Sequence, residues 1–209
     1  MTSTPTPTFA LVVVDVEVCF TEGGTLPVAG GAAVAAGVTA HLEAHPGRYA
    51  RVVASRDWHD PLPGTNDGHF AAPGTEPDFV RTWPEHGVAG TPDAEYHPDL
   101  RLPAGTVHVV KGMGRADYSA FDGVQLDSLG TDRPLGVLDA LTGVDVVEVV
   151  GIATDHCVRA TALAAAAAGF EVRVLTDLTA GVAVPTTVAA LTELAQAGVE
   201  LTTASAVTA

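Results

Sequence analysis

From Phe9 to Val16 the chain reads FALVVVDV, an almost unbroken run of apolar, mostly β-branched side chains. A run without alternation is the pattern of a strand buried on both faces, which points to a parallel sheet. Similar runs recur at Tyr49–Ser55, Val107–Lys111, Val146–Ile152 and Glu171–Leu175, with a weaker LTTASAV at Leu201–Val207, so six strands are predicted. Ala-rich or Leu-rich stretches at helical spacing separate them: Gly31–Ala44, Gly136–Leu141, Asp155–Ala168 and Pro185–Ala197. Strand and helix alternate, which predicts right-handed βαβ units, hence an open parallel sheet with helices on both faces. One segment breaks the rhythm. Asp57 to Leu100 is long, rich in Gly, Pro and His, and without clear periodicity, and irregular segments of that length are uncommon unless they serve a function.

With 209 residues, 47% of them apolar and 17% charged, the chain is large enough for one core and cramped for two. A single domain over residues 9–209 is predicted, preceded by a flexible Thr- and Pro-rich tail at 1–8 that lacks the basic and apolar regions of a signal peptide. Ten Lys and Arg against 25 Asp and Glu give a formal charge of -15, which argues against nucleic acid as a partner. No apolar run approaches the roughly 18–20 residues needed to span a bilayer. The two cysteines, Cys19 and Cys157, are too far apart and too few to form a disulfide framework, which suits a reducing compartment. A cytoplasmic protein, monomeric or a small homo-oligomer, acting on a small molecule is expected.

In open α/β sheets ligands bind beyond the carboxyl ends of the strands, so the chemistry is sought there. The first strand delivers Asp15, the second Asp57 and His59, the third Lys111, and the fourth leads through GIATDHC into Cys157. Cys157 lies between a strand and a helical stretch, where helix dipole and free amides favour a thiolate and could hold an oxyanion. Asp15 and Lys111 each end a buried strand, and pairing offsets the desolvation of each. A carboxylate beside a thiol can take its proton and return it to a leaving amine, while an ammonium steadies both. The bland alternatives are an inert buried cysteine and a structural ion pair; the three residues together favour catalysis. Asp57-Trp-His59 sets two ligands at i and i+2 on one side of an extended segment, with His69 and His86 in the irregular stretch after it, a donor set suited to iron, manganese or zinc. His41, His45, His97 and His108 are read as packing or surface residues.

Taken in order, DVEVCF (Asp15–Phe20), SRDWHDP (Ser55–Pro61), GHF (Gly68–Phe70), TWPEHGVAGTPDAEYHP (Thr82–Pro98), VKGMGRADYSAF (Val110–Phe121), GIATDHCVRATA (Gly151–Ala162) and DLTAGV (Asp177–Val182) resemble the nicotinamidase/pyrazinamidase branch of the isochorismatase-like hydrolases. The resemblance runs from about Phe9 to Ser205. It implies an α/β/α sandwich with a six-stranded parallel sheet and a triad of Asp15, Lys111 and Cys157. It also implies a divalent iron, zinc or manganese held by Asp57, His59, His69 and His86, with the substrate's pyridine nitrogen on the metal. By the same matching Phe20, Leu26, Trp83, Tyr118, Ile152 and His156 line the ring pocket, the Ile152–Ala153 bond is cis, and the amides of Ala153 and Cys157 form an oxyanion hole. The implied activity is hydrolysis of nicotinamide, and of pyrazinamide, through a cysteine thioester.

The chain departs from the family pattern at Glu17 and Cys19, where DxQxDF is usual, at Gly87, often Cys, and at Pro92-Asp93-Ala94, commonly Pro-Gly-Ala. Glu17 changes the hydrogen bonding beside the first strand's acid. Three other readings compete: an amidase of the superfamily acting on another small amide or carbamoyl compound in a metal-free pocket, a catalytically silent metal- or small-molecule-binding scaffold, and an isochorismate hydrolase, whose members usually lack the nucleophilic cysteine. The Asp57, His59, His86 set opposes the first, and the intact triad and Cys157 oppose the other two.

Overall fold

A computed structural model of the chain describes residues 6–62, 64 and 66–207. In chain order the elements are β1 (Phe9–Val14), α1 (Gly31–Ala44), β2 (Tyr49–Asp57), β3 (Val107–Lys111), β4 (Val124–Gln125), α2 (Val137–Ala140), β5 (Val146–Ile152), α3 (Arg159–Ala167), β6 (Glu171–Ala180), α4 (Val184–Gln196) and β7 (Glu200–Thr202). They form one seven-stranded sheet in the order β4-β3-β2-β1-β5-β6-β7. All its pairings are parallel except β3 with β4.

Six strands were predicted, and the seventh is β4, two residues that run antiparallel at the edge and carry no periodicity to betray them. The weak run at Leu201–Val207 is a three-residue strand followed by a tight turn at Ala204–Ala206. Of the expected tail, residues 1–5 lie outside the described residues. Thr8 is hydrogen-bonded, its amide donating to Asp145 Oδ2 at 2.7 Å and its carbonyl accepting from Asp145 and Val146.

The sheet separates two apolar layers because alternate residues of each strand face opposite sides. Ala10, Val12 and Val14 of β1 pack with Val158, Ala162 and Ala165 around α3 and with Leu194 of α4, while Leu11 and Val13 face Val34, Ala35 and Val38 of α1. One charge interrupts β5. Glu148 is fully buried, but Arg48 and the Tyr49 hydroxyl both reach its carboxylate at 2.5 Å, so the buried charge is paired. Among the described residues no helix is long and apolar enough to cross a membrane.

The order of strands places the site. From β1 the chain steps outward to β2 and β3, then returns to β5 on the other side of β1, so a crevice opens at the carboxyl ends of β1 and β5. There the two backbones approach closely. Gly151 has φ +121°, and a Cβ on it would lie 2.0 Å from the Val14 carbonyl oxygen. Only glycine fits both the torsion and the space. Gly151→Ala is expected to destabilise the fold by about 3 kcal/mol, lowering Tm by roughly 6–12 °C; an unchanged Tm in a thermal melt would contradict this close approach.

Candidate active site

Three strand ends and one turn meet at the crevice. Asp15 follows β1 directly and Lys111 and Asp57 close β3 and β2, where they are register partners. Cys157 lies in a single wide helical turn, Thr154–Val158, between β5 and α3. The expected helix at Asp155–Ala168 is thus divided into this turn and α3 proper. Lys111 Nζ is completely buried, 2.9 Å from Asp15 Oδ2, 3.7 Å from Cys157 Sγ and in a very short hydrogen bond to Asp57 Oδ1. Asp15 has φ +48°, a left-handed torsion rare outside glycine. Ser55 holds it there, with its hydroxyl donating to Asp15 Oδ1 at 2.6 Å and its carbonyl accepting from the Asp15 amide at 3.2 Å.

These contacts set the protonation states. Burial would strip the proton from Lys111, but Asp15 and Asp57 outweigh it and hold the ammonium well above its usual range. Burial pushes Asp15 up and Lys111 only partly reverses this, which leaves a carboxyl more basic than an ordinary aspartate. Burial also raises the Cys157 thiol, against the pull of Lys111 and with the push of Asp15. The helix-start position favours a thiolate, whereas burial first, and the two carboxylates after it, favour the protonated thiol. Burial works against the charge of Asp57 too, yet Lys111, His59 and His86 together hold that carboxyl well below its usual range.

The other oxygen of Asp57 faces a second cluster. Its Oδ2 lies 3.5 Å from His59 Nε2 and 3.6 Å from His86 Nε2. His59, His69 and His86 are buried with one ring nitrogen each within 4.8 Å of the others. Their tautomers are fixed from outside: His59 Nδ1 donates to the Gly112 carbonyl at 2.8 Å and His86 Nδ1 to the Pro84 carbonyl at 2.7 Å, which leaves both Nε2 lone pairs facing inward. Gly112, at φ +76°, is required, since a Cβ there would meet the His59 ring at 2.5 Å. Burial and the neighbouring imidazoles push His69 down to about 3, so it is neutral. His59 Nε2 and His69 Nδ1 have no hydrogen-bond partner among the described residues. Three buried imidazoles converging beside a carboxylate are the donor set of a first-row divalent metal ion.

Between the two clusters a small cavity of about 40 Å³ opens, walled by Phe20, Leu26, Trp83, Tyr118 and His156 and bordered also by Cys157, His69 and His86. Tyr118 and His156 rings stack at 28°, Trp83 meets His156 edge-on, and Trp83 Nε1 donates to the Tyr118 hydroxyl at 3.1 Å, which fixes the aromatic walls. Ala153 also borders the cavity, beside the cis Ile152–Ala153 bond. Ile152, expected in the ring pocket, is a correction: it is fully buried at the end of β5 against the α1 layer, as its place on an inward-pleated strand dictates. Val28, Asp117 and Val182 border the cavity without having been singled out. Val182 ends the DLTAGV motif, a signal that was available; Val28 and Asp117 lie on loops whose direction only the fold sets.

The isochorismatase domain family matches residues 9–206. The chain belongs to the isochorismatase family. It is 49% identical over 197 residues to the nicotinamidase/pyrazinamidase of Mycobacterium tuberculosis, covering 94% of this chain and 99% of that one. Among solved structures it resembles the pyrazinamidase of Pyrococcus horikoshii in complex with zinc, with TM-score 0.76 and 34% identity over 94% of this chain and 99% of that one. It also resembles an L. infantum protein in complex with nicotinate, with TM-score 0.78 and 34% identity over 96% and 95% of the two chains.

Glu17, a departure from the family pattern, is fully buried beneath the site, and its Oε2 accepts the Asp57 amide at 2.9 Å. Burial, then Asp57 and Asp15, drive its carboxyl well above the usual range. A protonated acid keeps an acceptor for the Asp57 amide, as a glutamine carbonyl would, while its other oxygen, Oε1, has no hydrogen-bond partner among the described residues. In the unfolded chain this carboxyl ionises near 4.5, so folding must take up a proton at any higher pH and stability falls as pH rises. Glu17→Gln has no such penalty. In metal-free protein its melting temperature is expected to match that of the parent near pH 4 and to exceed it at pH 8; a constant difference across that range would show Glu17 to be ionised in the fold.

Proposed function

We propose that this chain hydrolyses nicotinamide to nicotinate and ammonia, and pyrazinamide in the same way, through a thioester on Cys157. The observation that carries the reading is one buried cluster in which the Lys111 ammonium reaches Asp15, Asp57 and Cys157, beside a cavity that Cys157 shares with His69 and His86 of the imidazole group. Asp15, with its raised basicity, takes the thiol proton as Cys157 Sγ attacks the carboxamide carbon. The amides of Ala153 and Cys157 face the developing oxyanion. Asp15 returns the proton to the leaving nitrogen and ammonia departs; Asp15 then takes a proton from the water that attacks the thioester carbon, the C–S bond breaks, and that proton returns to the Cys157 sulfur as nicotinate is released. Lys111 keeps Asp15 charged and oriented at both stages. The aromatic walls Phe20, Trp83, Tyr118 and His156 hold a flat six-membered ring and exclude water.

Asp57, His59, His69 and His86 would hold one divalent ion of iron, zinc or manganese. When bound it supplies a Lewis-acidic anchor for a ring nitrogen. The imidazole set favours this reading over an amidase with a metal-free pocket. Two free thiols, a net acidic composition and, among the described residues, no helix long and apolar enough to cross a membrane suit a cytoplasmic enzyme.

Ammonia release from nicotinamide tests the proposal. Cys157→Ala is expected to lower kcat by at least about 10³-fold while leaving the fold and bound metal intact. Metal analysis should return about one transition ion per chain, with His59→Ala and His86→Ala each losing it. Undiminished turnover by Cys157→Ala would defeat the mechanism.

A further inference from the structure

Asp155 stands two residues before the nucleophile and is absent from the cavity wall, yet it is nearly buried and fully bonded. Its Oδ1 accepts the Val182 amide at 2.9 Å, and its Oδ2 accepts the Ala183 amide at 3.3 Å and a very short hydrogen bond from Thr186 Oγ1. Two of the donors are the amides of Val182 and Ala183, just ahead of α4, and the third is a hydroxyl in its first turn; the N-cap residue, Ala183, offers no side-chain cap. The first amides of a helix need outside acceptors, and a carboxylate suits the positive end of its dipole. Here the cap comes from the turn that carries Cys157.

The consequence concerns geometry at the sulfur. The wide turn Thr154–Val158 is anchored on one side by β5 and on the other by α3; of its side chains, His156 packs against Trp83 and Tyr118, and Asp155 binds the segment that opens α4. Val182, the first residue Asp155 grips, is also a wall of the substrate cavity. One carboxylate therefore ties the nucleophile's turn to the wall against which the ring rests.

We propose that Asp155 is a positioning residue, a latch that fixes Cys157 Sγ relative to the cavity wall formed at the start of α4. The role rests on the amidase reading given above, in which the sulfur must meet the carboxamide carbon of a ring held in place. A displacement of about 1 Å can cost roughly 10²-fold in such a reaction. The latch does not titrate in the working range: burial would raise the Asp155 carboxyl, but Thr186 and the Val182 amide hold it below its usual value. Its effect is geometric.

Asp155→Ala, Asp155→Asn and Thr186→Val form a graded series. Asparagine keeps an acceptor for Val182 but sets an amide group against the Ala183 N–H, and Thr186→Val removes one bond of the three. Each variant is assayed for kcat and KM with nicotinamide, for metal content, for Tm, and for alkylation of Cys157 by iodoacetamide, which has no ring and reports the sulfur alone. Cys19 is fully buried and does not compete. The expected result is a kcat loss of about 10–100-fold in Asp155→Ala, less in Asp155→Asn and least in Thr186→Val. Alkylation should slow in the same order, with metal content unchanged, at temperatures well below each Tm. If Asp155→Ala fails to fold, the other two variants carry the test. Should kcat and alkylation stay within twofold of the parent, or should both recover fully on cooling below the melting range, Asp155 is a stability residue and the proposal falls. A parent protein that alkylates readily but releases no ammonia from nicotinamide would instead defeat the amidase reading and leave the latch to be judged on alkylation.

Discussion

A single buried ammonium holds this site together. Lys111 has no exposure to solvent, and its desolvation is offset only because Asp15 and Asp57 approach it from neighbouring strands. Take either carboxylate away and the remaining charges are left uncompensated in a dry interior, a loss that typically amounts to about 3–5 kcal/mol. The same contacts give the three groups their chemistry. Lys111 favours the ionised form of both carboxylates, while burial and the carboxylates together favour the protonated form of the thiol.

Charge accounting explains why two clusters sit side by side. With Glu17 neutral, Asp15 and Asp57 ionised and Lys111 positive, the buried group carries one negative charge in excess. Asp57 shares that charge between the two clusters, one oxygen on Lys111 and the other facing the His59 and His86 rings. His59 and His86 are held in the ligating tautomer by backbone carbonyls, so the donor set is assembled in advance by the fold.

Much of this was legible in the sequence, and the reasons differ by residue. Unbroken β-branched runs marked the buried parallel strands, and the crevice rule then picked out Asp15, Asp57, Lys111 and Cys157 as the groups at their ends. Strand β4 was invisible because two residues cannot display a period. The wide turn at Thr154–Val158 was read as helix because its composition suits one; what distinguishes it is the tertiary grip of Asp155 on α4. Ile152 was placed in the pocket by resemblance, whereas the pleat of β5 turns it into the core. Val28 and Asp117 reach the cavity from loops, and no local pattern sets where a loop points.

The site is also where the chain breaks its own conformational rules, and that follows from its place at the centre of the sheet. Asp15 adopts a left-handed torsion without being glycine, while its neighbour across the crevice, Gly151, is so tightly packed that no side chain would fit. An unfavourable torsion of order 1–3 kcal/mol survives only where surrounding structure over-determines it. Here Ser55 binds both the amide and the carboxylate of Asp15, and β1 is flanked by β2 and β5 on either side, so no edge is free to relax. Had the acid been carried by an edge strand such as β7, the backbone could retreat to an ordinary torsion and carry the carboxylate away from the sulfur. The central position of β1 is thus a requirement of the chemistry, since it converts the rigidity of the sheet into the fixed geometry of proton transfer between Asp15 and Cys157.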